Sequence, residues 1–256
     1  MDRHVRSLIA FPCAGETLVG TLDAAPGTTG LLIVSGGNEI RCGAHRGMAL
    51  LAEHVAARGH PVFRYDRRGI GDSTGDNRGY LSAAPDLAAA AAAFRAAVPH
   101  LATIVGFGNC DAASTLALFG GAADIDRLLL ANPWTLERHD DLPPAAAIRA
   151  TYRARLTDPA AWRRLIGGRI DIVKAIRGLR KAADTRRQPL ATRVVGAIEG
   201  WGRSAEVVLA TQDGTALAYA AAAPHLPAQR IDTPSHSFAG AENQRLLLEL
   251  VLAALA

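Results

Sequence analysis

The fold of this chain is decided by the stretch Thr103-Ile104-Val105-Gly106-Phe107-Gly108-Asn109-Cys110-Asp111-Ala112-Ala113. Its first half is a short apolar run, which is typical of a strand buried on both faces. Its end enters an alanine-rich segment, which predicts a helix over 112–119. Between the two, Gly108, Cys110 and Ala112 follow the pattern glycine-x-nucleophile-x-small that marks a sharp strand-to-helix turn.

This turn favours Cys110 as a nucleophile. The strand and the helix approach closely there, so the flanking positions need residues as small as Gly108 and Ala112. The helix N-terminus also directs free N–H groups at the nucleophile, which favours the thiolate form of a cysteine. The alternative is that Cys110 is a small buried residue of the core, because free cysteines are often buried. Cys13, in a predicted hairpin turn, is interpreted as incidental. Cys42, close to the glycine-rich segment 36–37, is also interpreted as incidental, with a place near the site as the alternative.

A nucleophile needs a base, and the base needs a group that orients it. His236 follows the last predicted strand, and Asp213 comes directly after the apolar run 207–211. Reactive groups on open parallel sheets gather at the carboxyl ends of the strands, which both positions satisfy. His236 is therefore the predicted base and Asp213 its predicted partner. Asp232 and Asp124 are the alternative acids.

The chemistry of acyl transfer also requires N–H donors for an oxyanion. One predicted donor is the N–H of Asp111, the residue after the nucleophile. The other comes from the loop Gly36-Gly37-Asn38 after the strand 31–34, where glycines allow a close approach to substrate. Gly37 and Asn38 are both candidates for it. The run 66–73 is interpreted as a structural turn beside the site rather than a phosphate loop.

Strands and helices alternate along most of the chain. The predicted strands are 8–11, 17–22, 31–34, 61–65, 103–107, 127–131, 207–211 and 229–232, and helices lie between most of them. This alternation predicts an α/β fold with a mostly parallel, doubly wound sheet and an N-terminal antiparallel hairpin. The predicted core comprises 1–134 and 205–256. Residues 135–204 break the alternation and are predicted to be an inserted helical cap.

The predicted insertion has an excess of arginine and lysine over acidic residues. Within it, apolar residues recur at helical spacing opposite a basic face, as in a basic amphipathic helix. Such a helix could cover the active site with its charges in water, attract an anionic or carrier-bound acyl substrate, or touch an anionic membrane surface. Nucleic acid is not expected as a partner, because stacking aromatics do not accompany the charges.

Composition narrows the class of protein. The chain has 256 residues, of which 49% are hydrophobic, so it can bury the core of one large α/β domain. It has no apolar run long enough to span a bilayer and no signal-peptide pattern at its start. Three cysteines suggest neither a disulfide framework nor a zinc site. A cytoplasmic protein without a metal or cofactor is therefore expected.

Together, these residues resemble the α/β-hydrolase superfamily from about residue 7 to the C-terminus. More narrowly, the chain resembles the exosortase A system-associated hydrolase 1 family, found with bacterial exopolysaccharide and protein-sorting loci. The segments that carry this narrower resemblance are Gly36-Gly37, Arg41-Cys42-Gly43-Ala44-His45-Arg46, Arg64-Tyr65-Asp66, Arg68-Gly69, Cys110-Asp111-Ala112-Ala113-Ser114 and Asn132-Pro133-Trp134. The chain departs from the family at Asn38-Glu39-Ile40, where a Pro-Gln-Tyr-like run is usual, and at Ser235, where the family has an acid.

The resemblance implies a cysteine nucleophile, and His45, Arg46 and Trp134 become candidate substrate-binding residues. The expected activity is hydrolysis of an ester or thioester through an acyl-enzyme on Cys110, with His236 and Asp213 completing a triad. A thioester acyl-enzyme also reacts readily with thiols and amines, so an acyltransferase is the first alternative. A non-catalytic binding protein on the same fold is the second.

Overall fold

The computed structural model describes residues 6–136 and 189–256. In this part of the chain eight strands form one sheet. The strands are β1 (Arg6–Cys13), β2 (Glu16–Asp23), β3 (Thr29–Val34), β4 (Val62–Tyr65), β5 (Thr103–Asn109), β6 (Arg127–Ala131), β7 (Ala205–Ala210) and β8 (Gln229–Ile231).

The sheet has the strand order β1-β2-β4-β3-β5-β6-β7-β8. The β1–β2 and β2–β4 pairs are antiparallel, and all the other neighbouring pairs are parallel. The strands β3, β4 and β5 at its centre are almost wholly buried, as expected for continuous apolar runs covered on both faces. The predicted mostly parallel sheet with an N-terminal antiparallel hairpin is confirmed.

Helices cover both faces of the sheet. They are α1 (Gly47–Ala56), α2 (Ala84–Ala97), α3 (Asp111–Phe119), α4 (Pro189–Trp201), α5 (Gly214–Ala222) and α6 (Ala241–Leu255), with short 3₁₀ helices at Ala44–Arg46, Tyr80–Ser82, Gly121–Ala123 and Gly202–Ser204. Apolar residues of α2, α3, α4 and α5 belong to one buried cluster, and those of α1 and α6 belong to a second. The sheet is therefore doubly wound, with one apolar core on each face.

Helix α4 falls inside the predicted insertion but packs against the core. Its Leu190, Val194 and Ile198 are buried in the same cluster as residues of α3. Beside them, Trp201 Nε1 donates a hydrogen bond to Ala117 O at 3.0 Å. This helix is thus part of the helical layer on one face of the sheet. The predicted basic amphipathic helix, and the rest of the insertion over 137–188, lie outside the described residues.

The prediction that Cys13 lies in the hairpin turn is wrong. Cys13 is the last residue of β1, and the turn itself is Ala14-Gly15, both with positive φ angles of 52° and 87°. The Cys13 side chain is buried against α2, with Sγ 3.5 Å from Asp86 Oδ1. Burial and the neighbouring carboxylate raise the pKa of Cys13 to about 11, so its thiol is unreactive at neutral pH.

None of the described helices combines the length and the apolar character that a bilayer crossing requires.

Candidate active site

Cys110 lies between β5 and α3 in a strained backbone conformation. Its φ of 64° and ψ of −127° place a non-glycine residue on the sparsely populated positive-φ side. Such a conformation costs on the order of 1–3 kcal/mol and persists only where the surroundings enforce it. Here Cys110 N donates to Ala131 O at 3.0 Å, and Trp134 N donates to Cys110 O at 3.2 Å. These bonds fix the turn against the end of β6.

Two glycines make room for this turn. A Cβ atom on Gly108 would lie 2.8 Å from the carbonyl carbon of Ala112, and one on Gly36 would lie 2.6 Å from Asn109 O. Real Cβ atoms do not approach backbone atoms this closely, so any larger residue would push the helix or the glycine loop away. The close approach of strand and helix that the sequence pattern predicts is therefore present.

The structure brings Cys110, His236 and Asp213 together. His236 Nδ1 lies 3.1 Å from Asp213 Oδ2, and the same imidazole is hydrogen-bonded to the Cys110 side chain. Asp213 caps the N-terminus of α5, where its Oδ2 accepts the N–H groups of Thr215 and Ala216 at 3.0 Å each. These bonds hold the carboxylate in place and leave its contact with the imidazole intact.

The alternative acids take other partners. The exposed carboxylate of Asp232 accepts hydrogen bonds from Thr211 Oγ1 at 2.7 Å and Gln212 Nε2 at 2.9 Å. Asp124 is exposed at the end of a 3₁₀ helix, on the way into β6. Within the described ranges, neither carboxylate makes a hydrogen bond or an ion pair with His236.

The pKa shifts of Asp213 and His236 agree with the hydrogen bonds that these two side chains make. Burial alone would raise the pKa of Asp213, but the hydrogen bond and charge of His236 and the two N–H groups at the α5 terminus bring it below its ordinary value. The hydrogen bonds with Asp213 and Cys110 outweigh burial and raise the pKa of His236 to about 10. The imidazole therefore carries its proton at neutral pH.

We expect the ring protons of His236 to titrate with a midpoint near pH 10, because Asp213 and Cys110 both stabilise the imidazolium. A raised pKa stabilises the fold fully below about pH 6.5, the ordinary value, and this contribution is lost as the pH rises through about 10. NMR titration of the histidine Cε1–H signals, assigned with His236→Gln, measures the midpoint. A value near 6.5 would contradict the described contacts.

The predicted oxyanion donors lie on two facing segments. Asp111 is the first residue of α3, and its Oδ1 accepts the N–H of Gly37 at 2.7 Å. The carbonyl of Gly37 accepts a hydrogen bond from the Arg67 guanidinium, and Asn38 Oδ1 accepts one from Asn77 Nδ2 at 2.8 Å. The glycine loop is thus tied to the start of α3, and its Gly37 N–H is already engaged by a carboxylate.

The candidate substrate-binding residues fall in two places. Trp134 adjoins the nucleophile, because its N–H binds the Cys110 carbonyl and its ring packs on the core. His45 and Arg46 are exposed, with positive φ angles, directly before α1. Arg46 lines a cleft of about 360 Å³ with Arg41 and Asp66. In the part of the chain that the structure describes, neither His45 nor Arg46 forms a hydrogen bond or ion pair with the triad.

Two asparagines of the site are not found by sequence reasoning. Asn109, the last residue of β5, and Asn132, directly after β6, both donate side-chain hydrogen bonds to the main-chain oxygen of His236. The signal available in the sequence is a polar amide at the carboxyl end of each of two neighbouring strands.

No group of histidine, cysteine and acidic side chains over 6–136 and 189–256 could hold a metal ion.

Comparisons with known proteins identify the fold. No protein-family model matches the sequence, and no curated protein matches it. Among solved structures, α/β hydrolase GrgF from Penicillium sp. sh18 superposes with a TM-score of 0.62 at 20% identity, covering 98% of both chains. The esterase Pf2001 of Pyrococcus furiosus gives 0.61 at 14% identity, over 99% of this chain and 94% of its own.

A third solved structure, described as the thioesterase domain from the curacin biosynthetic pathway, gives a TM-score of 0.57 at 12% identity. The match covers 97% of this chain and 99% of that domain. At such identities the likeness concerns the fold alone. With its strand order, its doubly wound sheet and the sharp turn at Cys110, this chain has the α/β-hydrolase fold.

Proposed function

We propose that this protein is a cysteine-dependent hydrolase that cleaves an ester or a thioester through an acyl-enzyme on Cys110. The observation that carries the proposal is the arrangement of Cys110 at a strained strand-to-helix turn, hydrogen-bonded to an imidazole that is itself held by the partly buried carboxylate of Asp213. This is the geometry of a nucleophile, a base and an orienting acid.

In the first half of the reaction, the sulfur of Cys110 attacks the carbonyl carbon while its proton resides on His236. The carbonyl π electrons move to the oxygen, which the N–H of Asp111 stabilises. When the tetrahedral intermediate collapses, the bond to the leaving alcohol or thiol breaks and His236 returns the proton to it. The pKa of about 10 suits this acid role, because His236 is protonated before attack.

In the second half of the reaction, which is hydrolysis of the acyl-enzyme, His236 acts as a base. Once Cys110 is acylated, its sulfur no longer supplies the hydrogen bond and charge that raise the pKa of His236, so the imidazole releases its proton more readily. It can then take a proton from water as the water oxygen attacks the thioester carbon. The thioester bond breaks, the carboxylic acid leaves, and the proton returns to the Cys110–His236 pair.

We assign the second oxyanion donor to the N–H of Asn38. Both Gly37 and Asn38 belong to the predicted loop, but the N–H of Gly37 is engaged by Asp111 Oδ1 at 2.7 Å. The bonds from Arg67 to Gly37 O and from Asn77 to Asn38 Oδ1 also hold the loop. A loop held in this way keeps its donor fixed during the reaction, as electrostatic stabilisation of an oxyanion requires.

The solvent exposure of Cys110 and His236 favours an enzyme over a non-catalytic binding protein. Cys110 is partly exposed and the His236 side chain is 40% exposed, whereas the unreactive Cys13 is buried. A substrate carbonyl can therefore reach the sulfur. An esterase and a thioesterase domain among the solved structures share this fold, which is consistent with either substrate class.

Intact-protein mass after mixing with acyl esters and acyl thioesters of increasing chain length tests the proposal. We expect a transient mass increase equal to one acyl group in the wild type and in Cys42→Ala, and none in Cys110→Ala. Decay of the adduct in buffer supports a hydrolase, while decay that depends on added thiol or amine would replace it by an acyltransferase. No adduct with any donor, together with a Cys110 that resists iodoacetamide, would favour a binding protein.

The biological context of the protein and its partners belong to the same proposal. The sequence resemblance associates the chain with bacterial exopolysaccharide and exosortase systems. A small-molecule or carrier-bound acyl substrate is the expected partner. The basic segment that was predicted to steer an anionic substrate or touch an anionic membrane lies outside the described residues. These interpretations, the absence of nucleic-acid partners and the cytoplasmic location stay predictions.

A further inference from the structure

Buried Asn132 connects β5, β6 and β7 to the loop over 232–240 between β8 and α6, the histidine loop, which carries His236. The side chain of Asn132 is fully buried, and its φ of 43° is one that asparagine tolerates better than most residues. Its Oδ1 accepts the N–H of Ala210 at 2.8 Å, and its own N–H donates to Val208 O at 2.9 Å. Both bonds anchor it to the end of β7, the strand that leads to Asp213.

The amide nitrogen of Asn132 faces the site. Its Nδ2 donates to Asn109 Oδ1 at 3.0 Å and to His236 O at 3.2 Å. Asn109 Nδ2 donates to the same carbonyl of His236 at 2.9 Å. Two amides, which are hydrogen-bonded to each other, thus hold a single main-chain oxygen of the catalytic histidine.

The other main-chain tie between the histidine loop and the sheet is peripheral, because Gln212 N, in the segment after β7, donates to Thr233 O at 3.2 Å. The remaining bonds of the loop run within it or to α6. Ser235 N donates to Thr233 Oγ1, Ala239 N donates to Ser235 Oγ, and Asn243 Nδ2 binds Thr233 and Ala239. These bonds shape the loop and attach it to α6. Among the described contacts of His236, the bonds to its carbonyl join its backbone to the centre of the sheet, where Cys110 lies.

We propose that Asn109 and Asn132 are positioning residues, a pair of amides that fixes the main chain of His236 and thereby sets the contact between its imidazole and the sulfur of Cys110. The inference rests on the proposed function for its catalytic consequence, although the contact itself can be measured without a substrate. In metal sites, groups that hydrogen-bond to a ligand and orient it contribute about 10–100-fold to activity, and we expect an effect of the same order for this pair.

The test removes the amides without adding charge. Asn132→Gly keeps a residue that adopts positive φ readily and deletes the side chain, and Asn109→Ala deletes the other donor. We expect each variant to lower kcat about 10–100-fold with KM changed less than about threefold. Because both amides serve one carbonyl, the double variant should lose less than the product of the two single losses.

A readout independent of turnover separates positioning from a merely structural role. The pH midpoint of the His236 titration, measured by NMR, should fall from about 10 in both variants, because the hydrogen bond to Cys110 helps to raise the pKa of His236. Alkylation of Cys110 by iodoacetamide near pH 6 should slow in parallel. Asn243→Ala is the matched control, since it loosens the same loop without touching His236, and its midpoint should stay near 10.

Unchanged kcat and an unchanged His236 midpoint in Asn109→Ala would overturn the inference, even if Asn132→Gly fails to fold. Equal shifts of the midpoint in Asn243→Ala would also overturn it, because general loosening of the loop would then suffice. If the wild type forms no acyl adduct while the midpoint and alkylation rate respond as expected, the proposed function fails and the positioning role stands.

Discussion

Replacing Cys110 by alanine is expected to lower kcat about 10⁶-fold, the scale of loss when the nucleophile of a triad is removed. The methyl group cannot form the acyl-enzyme, and His236 loses one of its two side-chain hydrogen-bond partners. The residual rate should come from substrate binding and the oxyanion donors alone. Hydrolysis of the ester or thioester that acylates the wild type fastest measures the effect, with thermal unfolding as the check on the fold.

Cys42→Ala is the matched control, since Cys42 is the other free cysteine of intermediate exposure among the described residues. It lines the neighbouring cleft, and its side chain contacts its own loop. We expect this variant to keep kcat within about threefold of the wild type. A comparable loss in Cys42→Ala, or a Cys110→Ala enzyme that retains a tenth of the activity, would contradict the assignment of the nucleophile.

Replacing Asp213 by asparagine is expected to lower kcat about 10⁴-fold, because an amide can present an N–H to His236 and favour the wrong imidazole tautomer. An amide in that orientation gives up the capping bonds to Thr215 and Ala216, because Asp213 Oδ2 is the atom that serves both the cap and His236. Loss of an N-cap costs about 1 kcal/mol, so the fold should survive. The pKa of His236 should fall well below 10, since the hydrogen bond with Asp213 is the largest cause of its rise. Steady-state kinetics and the NMR titration check both effects.

Asp232→Asn controls for a general loss of charge near the histidine loop. Its carboxylate is exposed and binds Thr211 and Gln212. We expect kcat to change less than about threefold, as for most surface substitutions away from a site. If Asp232→Asn proved the more damaging of the two, the acid of the triad would have to be reassigned.

The parts of the site that could be predicted are those that backbone sterics dictate. A strand and a helix that meet at a sharp turn need Gly108 and Ala112 for reasons that involve only neighbouring residues. The positions of Asp213 and His236 follow from the rule that parallel strands end at one edge of the sheet. Both arguments need the chain order and no side-chain coordinates, so the sequence suffices for them.

The remaining features depend on contacts between distant segments. The bond from Gly37 to Asp111 spans 74 positions, and the bond from Asn132 to His236 spans 104. The sequence around each of these residues does not indicate which distant polar group it will bind. Helix α4 lies inside the segment predicted as an insertion, and its contacts with α3 are visible only once both helices are folded.

The strand order places the members of the triad in regions of unequal local stability. Cys110 follows β5, which pairs on both sides and is buried along nearly all its length, whereas His236 follows β8, a three-residue strand with one neighbour at the edge. Local opening of a protein begins at such edges and reaches central strands last. Fraying of the β8 edge would therefore separate the base from the nucleophile while the core stays folded, so this site loses its chemistry before the protein loses its structure.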